Sequence, residues 1–237
     1  MKKVLAILAL AFASFGAQAE LTGNVSLTSD YRFRGISQSQ GSAAFQGGID
    51  YVNKNGFYIG NWNSSVSSDV YLKGSGLESD VYAGFKKPLG PVTFDVGLYS
   101  YFYPNAKTGS SPAKFDTDEI YIGAAIGPFS AKISQAYSDY FGIADSKDSR
   151  YYLLKADVPV IKNLVLNASY GRTDVANQTT SDYDDWKIGV TYTAAGFDFG
   201  LHYYGTEKMT SAFKTTNTVN GEQNYDKGAV FTVTKLF

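Results

Sequence analysis

No cysteine occurs anywhere in the 237 residues. That excludes a disulfide framework, and it excludes a lipid-anchored amino terminus, which requires a cysteine at the cleavage site. Histidine occurs once, as His202, and methionine and tryptophan twice each. Long apolar runs are nearly as scarce. The one candidate, Val4 to about Phe15, is shorter than the roughly 20 residues a membrane-spanning helix needs. It follows Lys2 and Lys3 and leads into Ala17-Gln18-Ala19, which has the small-x-small form of a signal-peptidase site. Residues 1–19 are therefore expected to be a removed signal peptide, and residues 20–237 the exported domain. An excess of one charge is missing too: 21 basic against 22 acidic side chains leave a formal charge of −1, which points away from nucleic acid.

What the chain has instead is 19 Tyr, 16 Phe and 24 Gly beside 6 Pro, a composition that favours strands over helices. From Leu21 onward, Leu21, Gly23, Val25, Leu27, Ser29, Tyr31 and Phe33 share one face of an extended chain. Thr22, Asn24, Ser26, Thr28, Asp30, Arg32 and Arg34 share the other. The same period of two predicts twelve strands, near 21–35, 43–53, 56–66, 77–87, 91–103, 115–127, 128–139, 149–158, 163–173, 183–194, 196–206 and 225–237. No helical period competes with it.

The connectors alternate between short and long. After the second, fourth, sixth, eighth and tenth strands they are tight and carry Gly, Pro or Asn: Asn53-Lys54-Asn55-Gly56, Pro88 to Pro91, Gly127-Pro128, Pro159 to Asn163 and Ala194 to Gly196. After the odd-numbered strands they are longer and polar, most of all between Glu207 and Asn224. A soluble sandwich has strands of about 5–6 residues and no such alternation. Strands of about 10 residues with long loops on one side are the habit of transmembrane β-barrels. The expected fold is thus a twelve-stranded antiparallel transmembrane β-barrel in an outer membrane, closed by pairing of the last strand with the first, because hydrocarbon leaves no partner for a free sheet edge.

Closure assigns the two faces. Tyr31, Phe33, Phe102, Tyr152 and Trp186 are expected in an aromatic girdle at the long-loop end. Tyr51, Phe85, Phe129, Tyr192, Phe197 and Phe237 belong to one at the short-turn end. Parity turns Asp30, Arg32, Arg34, Asp50, Glu78, Asp80, Lys86, Asp95, Glu119, Lys132, Lys155, Asp157, Asp185, Lys187, Asp198 and His202 inward, together with Tyr99, Tyr101 and Tyr121. Twelve strands lie between the filled eight-stranded barrel and the open porins of 16–18, so a narrow pore is expected.

The carboxy-terminal AVFTVTKLF, with Ala229, Phe231, Val233 and Phe237 on one face interrupted by Lys235, resembles the last-strand signal read by the outer-membrane assembly machinery. NVSLTSDYRFRGISQS (Asn24 to Ser39), FQGGIDY (Phe45 to Tyr51) and GFYIGNW (Gly56 to Trp62) resemble the TorF-type porin family of proteobacterial outer-membrane proteins. The match is strongest over residues 20–103 and in the final strand. It implies an outer-membrane barrel with a transport role and carries no substrate.

The functional expectation is a channel for passive diffusion of small polar solutes, lined by Asp30, Arg32, Arg34, Asp50, Asp95, Tyr99, Tyr101, Glu119, Tyr121, Asp198 and His202. Arg32 and Arg34 would form a cationic patch opposing Asp95 and Glu119. The inward tyrosines either stack on ring-bearing solutes or simply fill space. No cofactor, metal ion or covalent step is called for, and the expected partners are lipid, lipopolysaccharide, the assembly machinery and the solutes themselves. Two alternatives stand beside it. An embedded enzyme would have to use His202 as its base, and no motif ties a serine to that residue. A non-conducting structural or adhesive barrel would act through its loops. The acidic clusters Asp116 to Glu119 and Asp182 to Asp185 fit no calcium-loop spacing and read as solvated loop ends.

Overall fold

A computed structural model describes residues 20–71, 74–106 and 114–237; the expected signal peptide lies outside them. Twelve antiparallel strands form the wall: β1 Glu20–Thr28, β2 Ala44–Val52, β3 Phe57–Ser65, β4 Leu77–Leu89, β5 Val92–Phe102, β6 Thr117–Ile126, β7 Phe129–Ala136, β8 Arg150–Ile161, β9 Leu164–Asp174, β10 Tyr183–Ala194, β11 Phe197–Glu207 and β12 Gly228–Leu236. Each pairs with its neighbours in sequence, and β1 closes the barrel onto β12, from Asn24 opposite Leu236 to Thr28 opposite Thr232. Reciprocal backbone bonds between Gly23 and Phe237, at 2.7 and 3.0 Å, carry the seam to the last residue. Every wall strand thus finds both partners, as a sheet in hydrocarbon requires. Among the described residues no helix is long and apolar enough to cross a membrane.

The even-numbered strands end in tight turns, such as Ala195-Gly196, where both residues have positive φ (51° and 77°). That left-handed pair matches the twist of the flanking strands. One expected turn is shorter than the sequence suggests. β8 runs on through Pro159 to Ile161, and its register against β9 shifts between those two residues, because a proline without N–H is tolerated at a bulge.

The side chains are distributed inside out. Leu98, Ile122, Leu154 and Leu201 stand about half exposed on the outer face, whereas the largest fully buried side chains of the inner face include Glu78, Glu119, Thr117, Thr173 and Asp80. Tyr51, Phe85, Phe102, Phe129, Tyr192, Phe197 and Phe237 lie exposed on the outside near the strand ends, as expected. Lys235, which interrupts the apolar face of β12, donates from Nζ to the Gly196 carbonyl at 2.9 Å and lies over the Phe197 ring, reaching the turn rather than lipid.

The principal correction concerns residues 29–39. β1 ends at Thr28, and the chain then leaves the wall and folds inward as a small hairpin in which Arg32–Phe33 pairs with Ile36–Ser37. Arg34 (φ 47°) and Gly35 (φ 82°) form its turn. Asp30, Arg32 and Arg34 are therefore not on a barrel strand, and the two arginines do not stand side by side on its lumenal face. Tyr31 and Phe33 do not meet lipid either: Tyr31 is buried against Trp62, and Phe33 packs on Tyr101 and Phe141. A hairpin keeps the alternation of a strand, so the period of two persists while the path of the chain reverses.

Candidate functional site

The lumen divides into a filled half at the long-loop end and a half lined by strand side chains towards the short turns. The hairpin fills the first. Asp30 anchors its base, accepting from Ser37 Oγ (2.6 Å) and Ser39 Oγ (3.0 Å) and pairing with Arg32. Arg32 Nη1 also donates to the carbonyls of Gly35, Asn224 and Asp226, which ties the hairpin to the last loop. That loop carries a short helix, Ser211–Thr216, and lays Asn224 on the hairpin, its carbonyl accepting from Ser37 N at 2.7 Å. At the tip, a Cβ on Gly35 would come within 2.8 Å of Asp185 Cβ on β10 and Thr206 Cγ2 on β11.

Arg34 crosses from the end of β1 to the far wall. Its Nη2 donates to both oxygens of Glu119 on β6 at 2.8 Å, and its Nη1 to the Tyr140 hydroxyl at 2.7 Å. Its guanidinium carbon sits 4.1 Å from the centre of the Tyr151 ring on β8. Burial works most strongly against the charge, but Glu119 and the Tyr140, Tyr101 and Tyr151 hydroxyls together outweigh it, and the Arg34 pKa lies well above its ordinary value. The predicted opposition of Arg34 and Glu119 is thus a direct ion pair, whereas Asp95 belongs elsewhere.

Tyrosines surround this bridge. Tyr31 donates to Glu78 Oε1 at 2.9 Å, and Tyr99 to Asp80 Oδ2 at 2.9 Å; among the described residues Glu78 Oε2 and Asp80 Oδ1 have no hydrogen-bond partner. Tyr99 stacks on Tyr82 at 5.0 Å and lies against Tyr101 at 4.5 Å. These rings face one another, so here the tyrosines fill the lumen. Above them Tyr71 stacks on Tyr103, with Phe115 at its edge, and Tyr71 hydrogen-bonds Gln38 of the hairpin. Burial raises the hydroxyl pKa of Tyr31, Tyr71 and Tyr103 well above its ordinary value, so all three remain donors. Tyr71, Tyr140 and Phe141 lay in or beside connectors that parity could not place, and Tyr103 and Phe115, expected at the ends of strands 91–103 and 115–127, fall in a loop because those strands stop at Phe102 and start at Thr117. For the residues in connectors, aromatic character among polar neighbours was the signal available.

Towards the short turns the lining follows the predicted parity. Asp50 accepts from the Tyr82 hydroxyl at 2.6 Å. Asp95 accepts from Tyr58 at 2.7 Å and pairs with Lys86 at 3.6 Å, and the Tyr58 and Tyr121 hydroxyls share a hydrogen bond. Lys155 pairs with Asp157 at 3.1 Å, Asp157 accepts from Asn167, and Asn167 Oδ1 lies 3.0 Å from His202 Nε2. Asp198 accepts from Thr193 Oγ1 at 2.8 Å. The His202 ring meets Asn167 in the hydrogen-bond network, and among the described residues no serine hydroxyl hydrogen-bonds to it.

The acidic clusters separate by face. Glu119 and Asp185 point inward, to Arg34 and Tyr151. Asp118 accepts from Ser100 on the outside, and Asp184 is held on the outer rim by Tyr170, Arg172 and Lys208.

The chain matches, over residues 13–237, the model of a bacterial protein family of unknown function (Gcw_chp), and it belongs to that family. No curated protein matches it. Among solved structures, the NanC porin aligns with a TM-score of 0.56 at 10% identity, covering 92% of this chain and 98% of that one. The KdgM porin aligns at 0.55 and 7% identity with the same coverage. KdgM in complex with disordered oligogalacturonate aligns at 0.51 and 8% identity, again over 92% and 98%. At these identities the likeness is one of fold: a closed twelve-stranded barrel similar to outer-membrane porins.

Proposed function

We propose that the chain is a porin-like channel of a Gram-negative outer membrane, passing small polar solutes by passive diffusion through a lumen narrowed at the long-loop end by hairpin 29–39. The observation that carries this reading is the sidedness of the wall: apolar outside at Leu98, Ile122 and Leu201, charged inside at Asp50, Lys132, Lys155 and Asp198. The resemblance of residues 20–103 to TorF-type porins and the fold shared with NanC and KdgM support it. In this reading lipid and lipopolysaccharide meet the outer belt, and the assembly machinery reads the strand that ends at Phe237. Permeation uses no cofactor and no covalent step, and selectivity comes from width and lumenal charge.

The filled mouth favours a second reading, a barrel closed by its hairpin. Planar-bilayer recordings separate the two. The channel reading expects discrete conductance steps from the folded protein, and larger steps from a variant in which residues 30–38 are replaced by a short Gly-Ser linker. A folded wild-type barrel without steps, beside a conducting linker variant, would establish the closed barrel instead. Silence from both would refute the channel.

A further inference from the structure

Below the hairpin, one sector of the lumenal wall carries a row of hydrogen-bond donors. Ser130 on β7 lies opposite Lys155 on β8, Lys155 opposite Ser169 on β9, and Ser169 opposite Lys187 on β10. Four adjacent strands thus present hydroxyl, ammonium, hydroxyl and ammonium at one level, about 4.8 Å apart along the row. Lys132 stands diagonally above Lys155, roughly 7–8 Å away by strand geometry, and Lys155 is near enough to interact electrostatically with both Lys132 and Lys187.

Most of this donor capacity is unused. Among the described residues Lys132 and Lys187 form no ion pair. Lys132 lies over the Tyr121 ring at 5.2 Å and Lys187 over the Tyr204 ring at 6.0 Å. Neither serine hydroxyl makes a hydrogen bond there. Among the described residues Asp157 is the carboxylate that forms an ion pair in the sector, with Lys155 at 3.1 Å; it also accepts from Asn167 and attracts Lys187, while Glu119 and Asp95 attract Lys132 from farther off. All five donors are half-buried rather than sealed, so they face lumenal water. Like charges held together in a narrow, low-dielectric space repel one another unless an anion lies between them.

We propose that Ser130, Lys132, Lys155, Ser169 and Lys187 form a binding site for the oxyanion of a small solute, a carboxylate or a phosphate. The ammonium groups supply charge-assisted hydrogen bonds, the serines fill the intervals, and the tyrosine rings hold two of the lysines in place. The site deepens the channel reading by naming the class of solute that the lumen retains.

Binding at equilibrium tests it without conduction, so its failure and that of the channel are separable. The folded barrel in detergent is titrated calorimetrically with sodium succinate and with sodium phosphate, at constant ionic strength set with sodium chloride. Saturable binding of one or both is expected, and whichever binds identifies the oxyanion. In Lys155→Gln/Lys187→Gln it should weaken about tenfold or more, since each loses a charged hydrogen bond. Lys87→Gln removes a charge from the outer face and should leave affinity unchanged. Circular dichroism and the gel shift on boiling verify that each variant is folded. Absence of saturable binding in wild type, or equal affinity in the folded double variant, would overturn the site.

Discussion

Replacing Arg34 by glutamine tests whether the hairpin is fastened by charge. Arg34 and Glu119 meet through two 2.8 Å hydrogen bonds, with side-chain exposures of 4% and 3%. Glutamine keeps part of the bulk but leaves the Glu119 carboxylate buried without its cation. Breaking a buried pair in this way costs about 3–5 kcal/mol, and the lost contact with Tyr151 falls within that figure. Removing both charges is a different perturbation, because Arg34→Gln/Glu119→Gln leaves no orphaned ion. Coupling between such neighbours reaches about 3 kcal/mol, so the double variant should recover most of the loss. Urea unfolding of the barrel in phospholipid vesicles, followed by tryptophan fluorescence, measures Arg34→Gln, Glu119→Gln and the double variant against wild type. A single substitution costing less than about 1 kcal/mol, or a double variant as unstable as the two singles summed, would show that the bridge does not fasten the hairpin.

Gly35→Ala places a methyl group at a left-handed φ and against Asp185 and Thr206. It should destabilise the seated hairpin by about 1–2 kcal/mol from backbone strain alone, read as faster proteolytic cleavage between residues 29 and 39; unchanged cleavage would place the tip away from β10 and β11. Single cysteines at Leu98, Leu201 or Val233 should react with lipid-phase reagents, and those at Asp95, His202 or Thr232 with small water-soluble ones. The native chain has no cysteine to give background, and reversed labelling would invert the assigned faces.

Much of the wall was legible because lipid and water impose a strict period of two on a strand between them. Leu98 against Asp95, and Leu201 against His202, follow directly from that constraint. So do the short turns, whose Gly, Pro and Asn have local conformational reasons. The interior of the mouth was not legible, because there both faces of the chain are buried and alternation loses its meaning. Arg34-Gly35 makes a two-residue hairpin turn without the Asn-Gly or Asp-Gly pair that usually announces one. The bridge from Arg34 to Glu119 spans 85 residues, a pairing no local pattern encodes. The donor row on β7 to β10 lies between these cases: parity turned each lysine inward, but only register shows that Lys155 and Lys187 share a level.

The position of the hairpin along the chain dictates when it can dock. It follows the first strand, yet Tyr31 bonds Glu78, Arg34 bonds Glu119, and Arg32 bonds Asp226, across separations of 47, 85 and 194 residues. Each of those partners is made later in the chain, and the last of them immediately precedes β12. Contacts of such long range form slowly, because the entropy of closing the loop is lost before any contact rewards it. The segment therefore stays unseated until those partners are in place. Its contact with Asp226 and the closure of β1 onto β12 both wait for the end of the chain, so the mouth is completed only together with the wall.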